Sequence, residues 1–281
     1  MLLTAVTRRR MGRSKKYRTC PAELEKIMRS FIRSVFVLLT GFLTGCVHKP
    51  EAFQPKHGAV CFTFDDARYG EWLPQLPLFE RYHAAATFFY SGEITKEAAE
   101  SMLVLRKNGH SIGLHALRHR DCVDIDMQTY FDTQIKPQLE AAEKYGVKNI
   151  RYFAYPNNRH SPDSDRFLSR YFARFRVGAK TGKPKGFWIA DQEIAYIPLE
   201  KIPQTRSLGG CGIGEYYLST KENLDAALEK AARENKLIVF FSHGISPHAT
   251  GVHMPLELLE HLLKKASELQ MAIVGFDQLP E

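Results

Sequence analysis

Seven short apolar runs alternate with amphipathic stretches over the last 225 or so residues of the chain, and this alternation constrains the fold most. Runs such as Ile238-Val239-Phe240-Phe241 are apolar without interruption, as burial on both faces of a parallel sheet requires. The stretches between them carry apolar residues three and four positions apart, which predicts helices. We therefore predict a single α/β domain whose parallel sheet is either closed into a barrel or open.

The pattern places the elements in order along the chain. Strands are predicted over 59–64, 86–90, 110–114, 152–155, 175–179, 237–241 and 272–276. The clearest helices are predicted over 96–107, 127–145, 223–235 and 255–269. Residues 181–214 contain six glycines without a phosphate-binding pattern, and we interpret them as a long surface loop.

The N-terminal region has the composition of a secretory leader. Arg29 and Arg33 precede an apolar run of nine residues, 35–43, which ends at Leu43-Thr44-Gly45-Cys46. Nine residues are too few to cross a hydrocarbon core, which needs about 20. The arrangement resembles a bacterial lipoprotein signal that is cleaved before a lipidated cysteine. We expect a membrane anchor at Cys46 and a location in the cell envelope.

This leader sets the expected domain limits. Residues 1–27 precede the signal-like segment that begins just before Arg29, and they are either an over-called start or an unusual extension. Residues 28–45 are predicted to be the signal peptide, 46–56 a polar tether and 57–281 the single folded domain.

The charge of the mature part excludes one class of partner. Ten of the 39 Lys and Arg residues precede Cys46, but only two of the 31 Asp and Glu residues do. The remainder of the chain then has 29 residues of each sign and a formal net charge of zero. Nucleic-acid binding needs a clustered cationic surface, so we expect no nucleic-acid partner.

Polar residues follow several of the predicted strands. Asp65-Asp66, His115, Tyr155-Pro156 and Ser242-His243 all stand at the C-terminal ends of apolar runs. Barrel enzymes place their catalytic groups at this end of the strands, and open α/β sheets share the tendency.

The residue types indicate a metal site with an adjacent base. Two neighbouring carboxylates cannot both ionise cheaply unless a cation neutralises one of them. His115 and His119 are four residues apart and would share one face of a helical turn, either as metal ligands or as a solvated surface pair. One Asp with two His leaves open positions for water and substrate, as catalytic zinc requires. The second carboxylate can then act as a base, and His243 is either a proton donor or a structural histidine.

Four motifs in order carry a family resemblance. Thr63 to Asp66, His115 to His119, Phe153 to Pro156 and Phe241 to His243 are similar to the motifs of the polysaccharide deacetylase family, also called the NodB-homology domain or carbohydrate esterase family 4. This resemblance implies a deformed (β/α) barrel that removes acetyl groups from an acetylated polysaccharide with a divalent metal, most often Zn²⁺. The third motif is most similar to that of the branch acting on poly-N-acetylglucosamine.

The resemblance also implies roles for single residues. By position, Asp65 matches the general base and His243 the general acid. Asp66, His115 and His119 match the metal ligands. The backbone N–H of Asn157 matches an oxyanion donor, and Tyr155 either contacts the substrate or packs in the core.

Three positions depart from the family pattern. Ala116 stands where the family has a hydroxyl residue between the two histidines. Ala154 stands where the family has an arginine that orients the base, and Arg151 or Arg206 is a candidate replacement. Asn157 also stands where the family usually has an aromatic residue. Because Ala154 and Asn157 occupy positions that are usually functional, a catalytically silent glycan-binding lipoprotein is the alternative function. A deacetylase of acetylated xylan, peptidoglycan or chitin fragments is the alternative substrate assignment.

Overall fold

A closed barrel of seven parallel strands forms the centre of this computed structural model, which describes residues 53–179 and 188–281. The strands are β1 (Ala59–Asp65), β2 (Ala86–Tyr90), β3 (Ser111–Leu114), β4 (Tyr152–Ala154), β5 (Arg174–Gly178), β6 (Tyr196–Pro198), β7 (Ser207–Gly212), β8 (Lys236–Ser242), β9 (Ile245–Ser246), β10 (Met254–Pro255) and β11 (Ala272–Ile273). The barrel order is β1-β2-β3-β4-β5-β7-β8, and it closes because β1 also pairs with β8. Strand β6 is antiparallel to β8, and β11 adds to the start of β1. The predicted deformed barrel is confirmed, and the open-sheet alternative is wrong.

Helices connect most of the strands and cover the outside of the barrel. They are α1 (Tyr69–Trp72), α2 (Leu76–Arg81), α3 (Lys96–Lys107), α4 (Met127–Tyr130), α5 (Lys136–Lys144), α6 (Pro162–Leu168), α7 (Lys221–Arg233) and α8 (Leu256–Glu268). A π-helical turn, Phe131–Ile135, joins α4 to α5. Helix α3 has the predicted bounds, and the side chain of Thr95 caps it by accepting a hydrogen bond from the Ala98 N–H.

Alternate residues of each strand pack into two separate apolar layers. Cys61, Phe89, Ala154 and Val239 belong to the cluster that fills the barrel. Their neighbours along the strands face the helices, where α8 contributes Leu259, Leu262 and Leu263 to the larger cluster. Burying one leucine side chain contributes about 1.5–3 kcal/mol, so this outer layer holds the helices against the sheet.

Strand β7 lies within the segment that the sequence pattern assigned to a surface loop, so that interpretation is wrong for Ser207–Gly212. Three of its six residues are glycine, a residue that is depleted in strands. One of these glycines is needed for space, since a Cβ atom at Gly212 would lie 2.4 Å from the ring of Tyr217. A tertiary requirement of this kind leaves no strand signal in the local sequence.

The predicted last strand is shorter than expected, because only Ala272–Ile273 pair and residues Phe276–Gln278 form a 3₁₀ turn. The predicted leader, tether start and lipidation site at Cys46 lie outside the described residues. Among the residues that the structure describes, no helix has the length and apolar character needed to span a membrane.

Candidate active site

The C-terminal ends of β1, β3 and β8 bring predicted polar residues to one end of the barrel. Asp65 is the last residue of β1, and His115 and His243 directly follow β3 and β8. Oδ2 of Asp65 lies 3.7 Å from Nε2 of His115, and both side chains are almost completely buried. Two groups that are fifty residues apart in the chain therefore share one small volume.

Asp66, His115 and His119 form a cluster with the donor set of a divalent-metal site. One ligand atom from each of the three residues lies within 4.8 Å of the other two. His115 Nδ1 is 2.8 Å from the carbonyl oxygen of Ala154, so Nδ1–H donates there and the Nε2 lone pair is left for a metal. Burial lowers the pKa of His115 to about 4, which keeps the imidazole in its neutral, metal-binding form at pH 7. The residues present fit a divalent cation, and three protein ligands leave at least one position of a tetrahedral ion open.

The two histidines are presented by an irregular turn, so the prediction of a helical turn is wrong. Ala116 and His119 both adopt left-handed backbone angles, with φ of 61° and 50°. The histidine rings nevertheless meet at a centroid distance of 4.7 Å.

A glutamine braces the turn between the ligands. The Leu117 N–H donates to the Gln134 backbone carbonyl over 2.9 Å. The Arg118 N–H donates to the Gln134 side-chain Oε1 over 3.0 Å. Gln134 comes from the π-helical turn before α5 and is buried. The turn that carries the two histidines is therefore held by one residue of another element.

The carboxylate of Asp65 is paired with a buried arginine that the sequence interpretation missed. Arg176, in the middle of β5, donates from Nη2 to Oδ2 of Asp65. Oδ1 of Asp65 is buried and has no hydrogen-bond partner within 53–179 and 188–281. That oxygen is left to accept a proton.

Neither arginine suggested as a replacement for the motif arginine reaches Asp65, and both suggestions are wrong. Arg151 pairs with Glu281 at 2.5 Å, on the outside of the molecule. Arg206 donates to the carbonyl of Phe172 at 3.2 Å. The chain separation between position 154 and Arg176 hides their proximity, which arises only from the pairing of β4 with β5.

His243 is oriented through backbone groups. Its Nδ1 lies 3.1 Å from the Val252 carbonyl oxygen, which makes Nδ1 the donor and leaves Nε2 as the nitrogen that can gain or lose a proton. The indole N–H of Trp72 donates to the His243 carbonyl over 2.9 Å and fixes the backbone at this position. His253 lies beside it with its ring centroid 6.0 Å away. Thus Trp72 is a buried support of the site.

An aromatic ring forms one wall beside Asp65. Tyr217 lies across Gly212, where a Cβ atom would come within 2.4 Å of the ring, and its ring centroid is 5.1 Å from that of Phe241. Burial, followed by the negative charge of Asp65, raises the pKa of Tyr217 to about 12. The phenol therefore stays protonated at neutral pH. Only a glycine at position 212 allows this close approach.

The third motif separates into one exposed and one buried residue. Asn157 is exposed and has a left-handed φ of 54°, in the turn that follows β4. Tyr155 is fully buried, with ring centroids 5.2 Å from Phe153 and 5.3 Å from Phe175. Its side chain belongs to the core, so the expectation of a substrate contact through Tyr155 is wrong and the packing alternative holds.

Comparison with known proteins agrees with this arrangement. Residues 53–172 match the model of the family described as polysaccharide deacetylase. The chitin deacetylase of Colletotrichum lindemuthianum superposes with a TM-score of 0.57 at 15% identity, covering 82% of this chain and 89% of that chain. The fold is that of carbohydrate esterase family 4. A pseudoenzyme of this family from Bacillus anthracis superposes with a TM-score of 0.52 at 15% identity, covering 80% of this chain and 66% of that one.

A curated relative of this deacetylase-fold chain is the uncharacterized protein YlxY of Bacillus subtilis. The two are 24% identical over 183 residues, which is 62% of this chain. The chain spans about half the length of that relative, since the alignment covers 53% of it.

Proposed function

We propose that this protein is a divalent-metal-dependent polysaccharide deacetylase that hydrolyses N-acetyl groups of a glycan containing N-acetylglucosamine. The observation that carries the proposal is the Asp66, His115 and His119 cluster beside the buried, arginine-paired carboxylate of Asp65. An acetamide is a poor electrophile, and its hydrolysis needs both an activated water and a proton for the departing nitrogen. The candidate site offers groups for both tasks.

Asp66, His115 and His119 would hold the metal. One carboxylate oxygen and two imidazole nitrogens suit Zn²⁺ with open positions. Such an ion, when bound, would act as a Lewis acid on the attacking water and on the acetyl carbonyl.

The remaining chemistry falls to residues of the chain itself. Oδ1 of Asp65 accepts a proton from the water as its oxygen adds to the acetamide carbonyl carbon, while Oδ2 stays bound to Arg176. The backbone N–H of Asn157 donates to the oxygen on which negative charge develops. His243 gives the Nε2 proton to the nitrogen as the C–N bond breaks, which leaves acetate and a free amine on the sugar.

One observation favours a second candidate, a catalytically silent glycan-binding protein. Ala154 occupies the position at which the family pattern has its base-orienting arginine, and the fold is shared with a described pseudoenzyme. Such a protein would bind the metal and an acetylated glycan without releasing acetate. A deacetylase of O-acetylated xylan would carry the same groups and differ only in its substrate.

A pair of adjacent variants separates these functions. We expect Asp65→Asn, assayed as the full chain in detergent, to release less than about one hundredth of the wild-type acetate while binding one zinc per chain. Asp66→Asn should lose both zinc and acetate release, because it replaces the anionic ligand of the cluster with a neutral amide. Wild-type acetate release from the Asp65→Asn variant would refute the proposed base. Zinc and glycan binding by a wild-type chain that releases no acetate would favour the silent binding protein.

The cellular location is a separate proposal that rests on the sequence. A lipid at Cys46 would anchor the enzyme in the cell envelope, close to the acetylated polysaccharides that we propose as substrates. Cys46→Ser should abolish incorporation of labelled palmitate and release the protein from the membrane fraction. Labelling that survives this substitution would contradict the proposed anchor.

A further inference from the structure

One guanidinium in the barrel connects the end of β1 to the turn after β4. The side chain of Arg176 is 1% exposed. Nη2 donates to Asp65 at the end of β1, and Nη1 donates to Oδ1 of Asn158 in the turn after β4. The guanidinium carbon lies 4.7 Å from the ring centroid of Phe241, which closes one face. Because the N–H donors of arginine form a rigid planar fork, the two acceptors are held at a fixed separation.

The turn that Arg176 reaches has an uncommon backbone. Asn157 and Asn158 are consecutive left-handed residues, with φ of 54° and 56°. Asparagine tolerates this region better than most residues but still needs neighbouring contacts to hold it there. The Asn158 N–H donates to the Tyr155 carbonyl over 3.0 Å, and Arg176 holds the side chain. The position of the Asn157 peptide therefore depends on Arg176 through one residue.

Two small residues make space for this arginine. Ala154 of β4 is in register with Arg176 of β5. The small alanine side chain therefore leaves space beside Arg176 that a larger residue at position 154 would fill. On the other side, the Cβ of any residue at Gly210 would come within 3.3 Å of the Arg176 side chain. Arginines at 154 and 176 would compete for the same interior volume. A single arginine is accommodated, and it comes from β5.

We infer that Arg176 is a positioning residue that ties the base Asp65 to the Asn157–Asn158 turn, so that one side chain sets both the base and the oxyanion donor. The inference rests on the proposed function and deepens it. It explains how the carboxylate of Asp65 is oriented by an arginine although position 154 is an alanine. It also makes Asn158, whose side chain accepts a hydrogen bond from Arg176, part of the same unit.

Kinetic constants test the role of Arg176 directly. A displacement of about 1 Å in a reacting group costs about 100-fold, so Arg176→Met should lower kcat by about that factor with KM and zinc affinity within twofold of wild type. The control is Arg174→Met, on the same strand two residues earlier, where the arginine is also buried but donates to Pro280. That variant should keep its kcat. A kcat for Arg176→Met within threefold of wild type, or a loss confined to KM, would overturn the inference.

The role of Asn158 is tested by a substitution at this residue and the same substitution at a control asparagine. Asn158→Gly removes the side-chain amide but tolerates the left-handed backbone, and it should lower kcat by about tenfold. Asn149→Gly makes the same change at an exposed left-handed asparagine, with φ of 55°, which precedes β4 whereas Asn158 follows it, and it should have no effect. Because Arg176 and Asn158 act together, the double variant should lose much less than the product of the two single losses. Independent, multiplicative losses would contradict a shared unit.

Rescue distinguishes positioning from a loss of packing. Added guanidinium ion should restore part of the kcat of Arg176→Ala in a saturable way, while urea at the same concentration should not. Ala154→Arg combined with Arg176→Ala, which returns an arginine to the neighbouring strand, should exceed Arg176→Ala alone by at least tenfold. No gain from either the free ion or the relocated arginine would overturn the assigned role.

A wild-type chain that releases no acetate from any glycan would refute the proposed function, and the Asp65–Arg176 unit is then tested without activity. Urea unfolding of Asp65→Asn, Arg176→Met and the double variant forms a cycle. If the two residues act as a unit, the shift in midpoint for the double variant is smaller than the sum of the single shifts, since each single variant leaves its partner buried and unpaired. Additive shifts would overturn the unit itself.

Discussion

Replacement of Gln134 by methionine tests how this chain holds its proposed metal ligands. Methionine has nearly the same length and volume but lacks the acceptor that receives the Arg118 N–H at 3.0 Å. The backbone carbonyl of Gln134, which receives the Leu117 N–H, is retained. The change therefore removes one hydrogen bond from the turn between His115 and His119 and leaves the packing of a buried side chain nearly intact.

The expected size follows from that single bond. Leaving a partly buried N–H without its acceptor costs about 1–3 kcal/mol. A metal-free turn can relax and expose this N–H to water, so the penalty falls on the metal-bound form. Each 1.4 kcal/mol corresponds to about tenfold in a dissociation constant, and groups that support metal ligands are typically worth 10- to 100-fold. We predict that the zinc Kd of Gln134→Met is about 10- to 100-fold higher than that of wild type.

Competition with a chromophoric zinc chelator measures this Kd in the full chain. Gln128→Met is the control, because Gln128 lies on α4, just before the π-helical turn, and its side chain donates to the exposed Asp132. Gln134→Glu retains an acceptor oxygen and should lose less affinity than Gln134→Met. A Kd for Gln134→Met within twofold of wild type would refute the brace.

Two further predictions concern histidines. His243→Gln should lower kcat by about 10²- to 10⁴-fold while zinc affinity is unchanged, and turnover at the wild-type rate would exclude His243 as the proton donor. Burial lowers the pKa of His110 from 6.5 to about 4, so the unfolded chain binds a proton between these values and the folded chain does not. Stability is therefore lost as the pH falls from about 6.5 towards 4, by up to about 3 kcal/mol from this residue. In urea unfolding, His110→Gln should lose less stability than wild type between pH 7 and pH 4.5, and an identical loss in both proteins would contradict this pKa.

The fold was largely predictable because its strands bury both faces. An uninterrupted apolar run such as Ile238–Phe241 predicts a strand in a sheet that is covered on both faces, and this is where the run lies, in β8. Strand β7 carries no such signal, since three of its six residues are glycine and Gly212 is required by the close approach of the Tyr217 ring. The distinction between barrel and open sheet depends on the pairing of β1 with β8, which no local pattern reports.

The candidate site was predictable only in its residue types. Two adjacent carboxylates and a histidine pair predict a bound cation, because neighbouring negative charges are costly unless a cation neutralises one of them. The supports are different, because Arg176 and Gln134 act through backbone register and a helix irregularity that the sequence does not encode locally. The role of Tyr155 was ambiguous for a related reason. Tyr155 stands between the last residue of β4 and the turn that carries Asn157, so its sequence position does not show whether its side chain packs in the core or faces the site.

Metal-dependent release of acetate tests the central claim most directly. The full chain would be stripped with a chelator, reloaded with one equivalent of zinc and incubated with N-acetylglucosamine oligomers, peptidoglycan and acetylated xylan. The account predicts release from the N-acetylglucosamine oligomers that disappears on stripping and returns with zinc. Zinc bound at one equivalent without acetate from any of these substrates would contradict it.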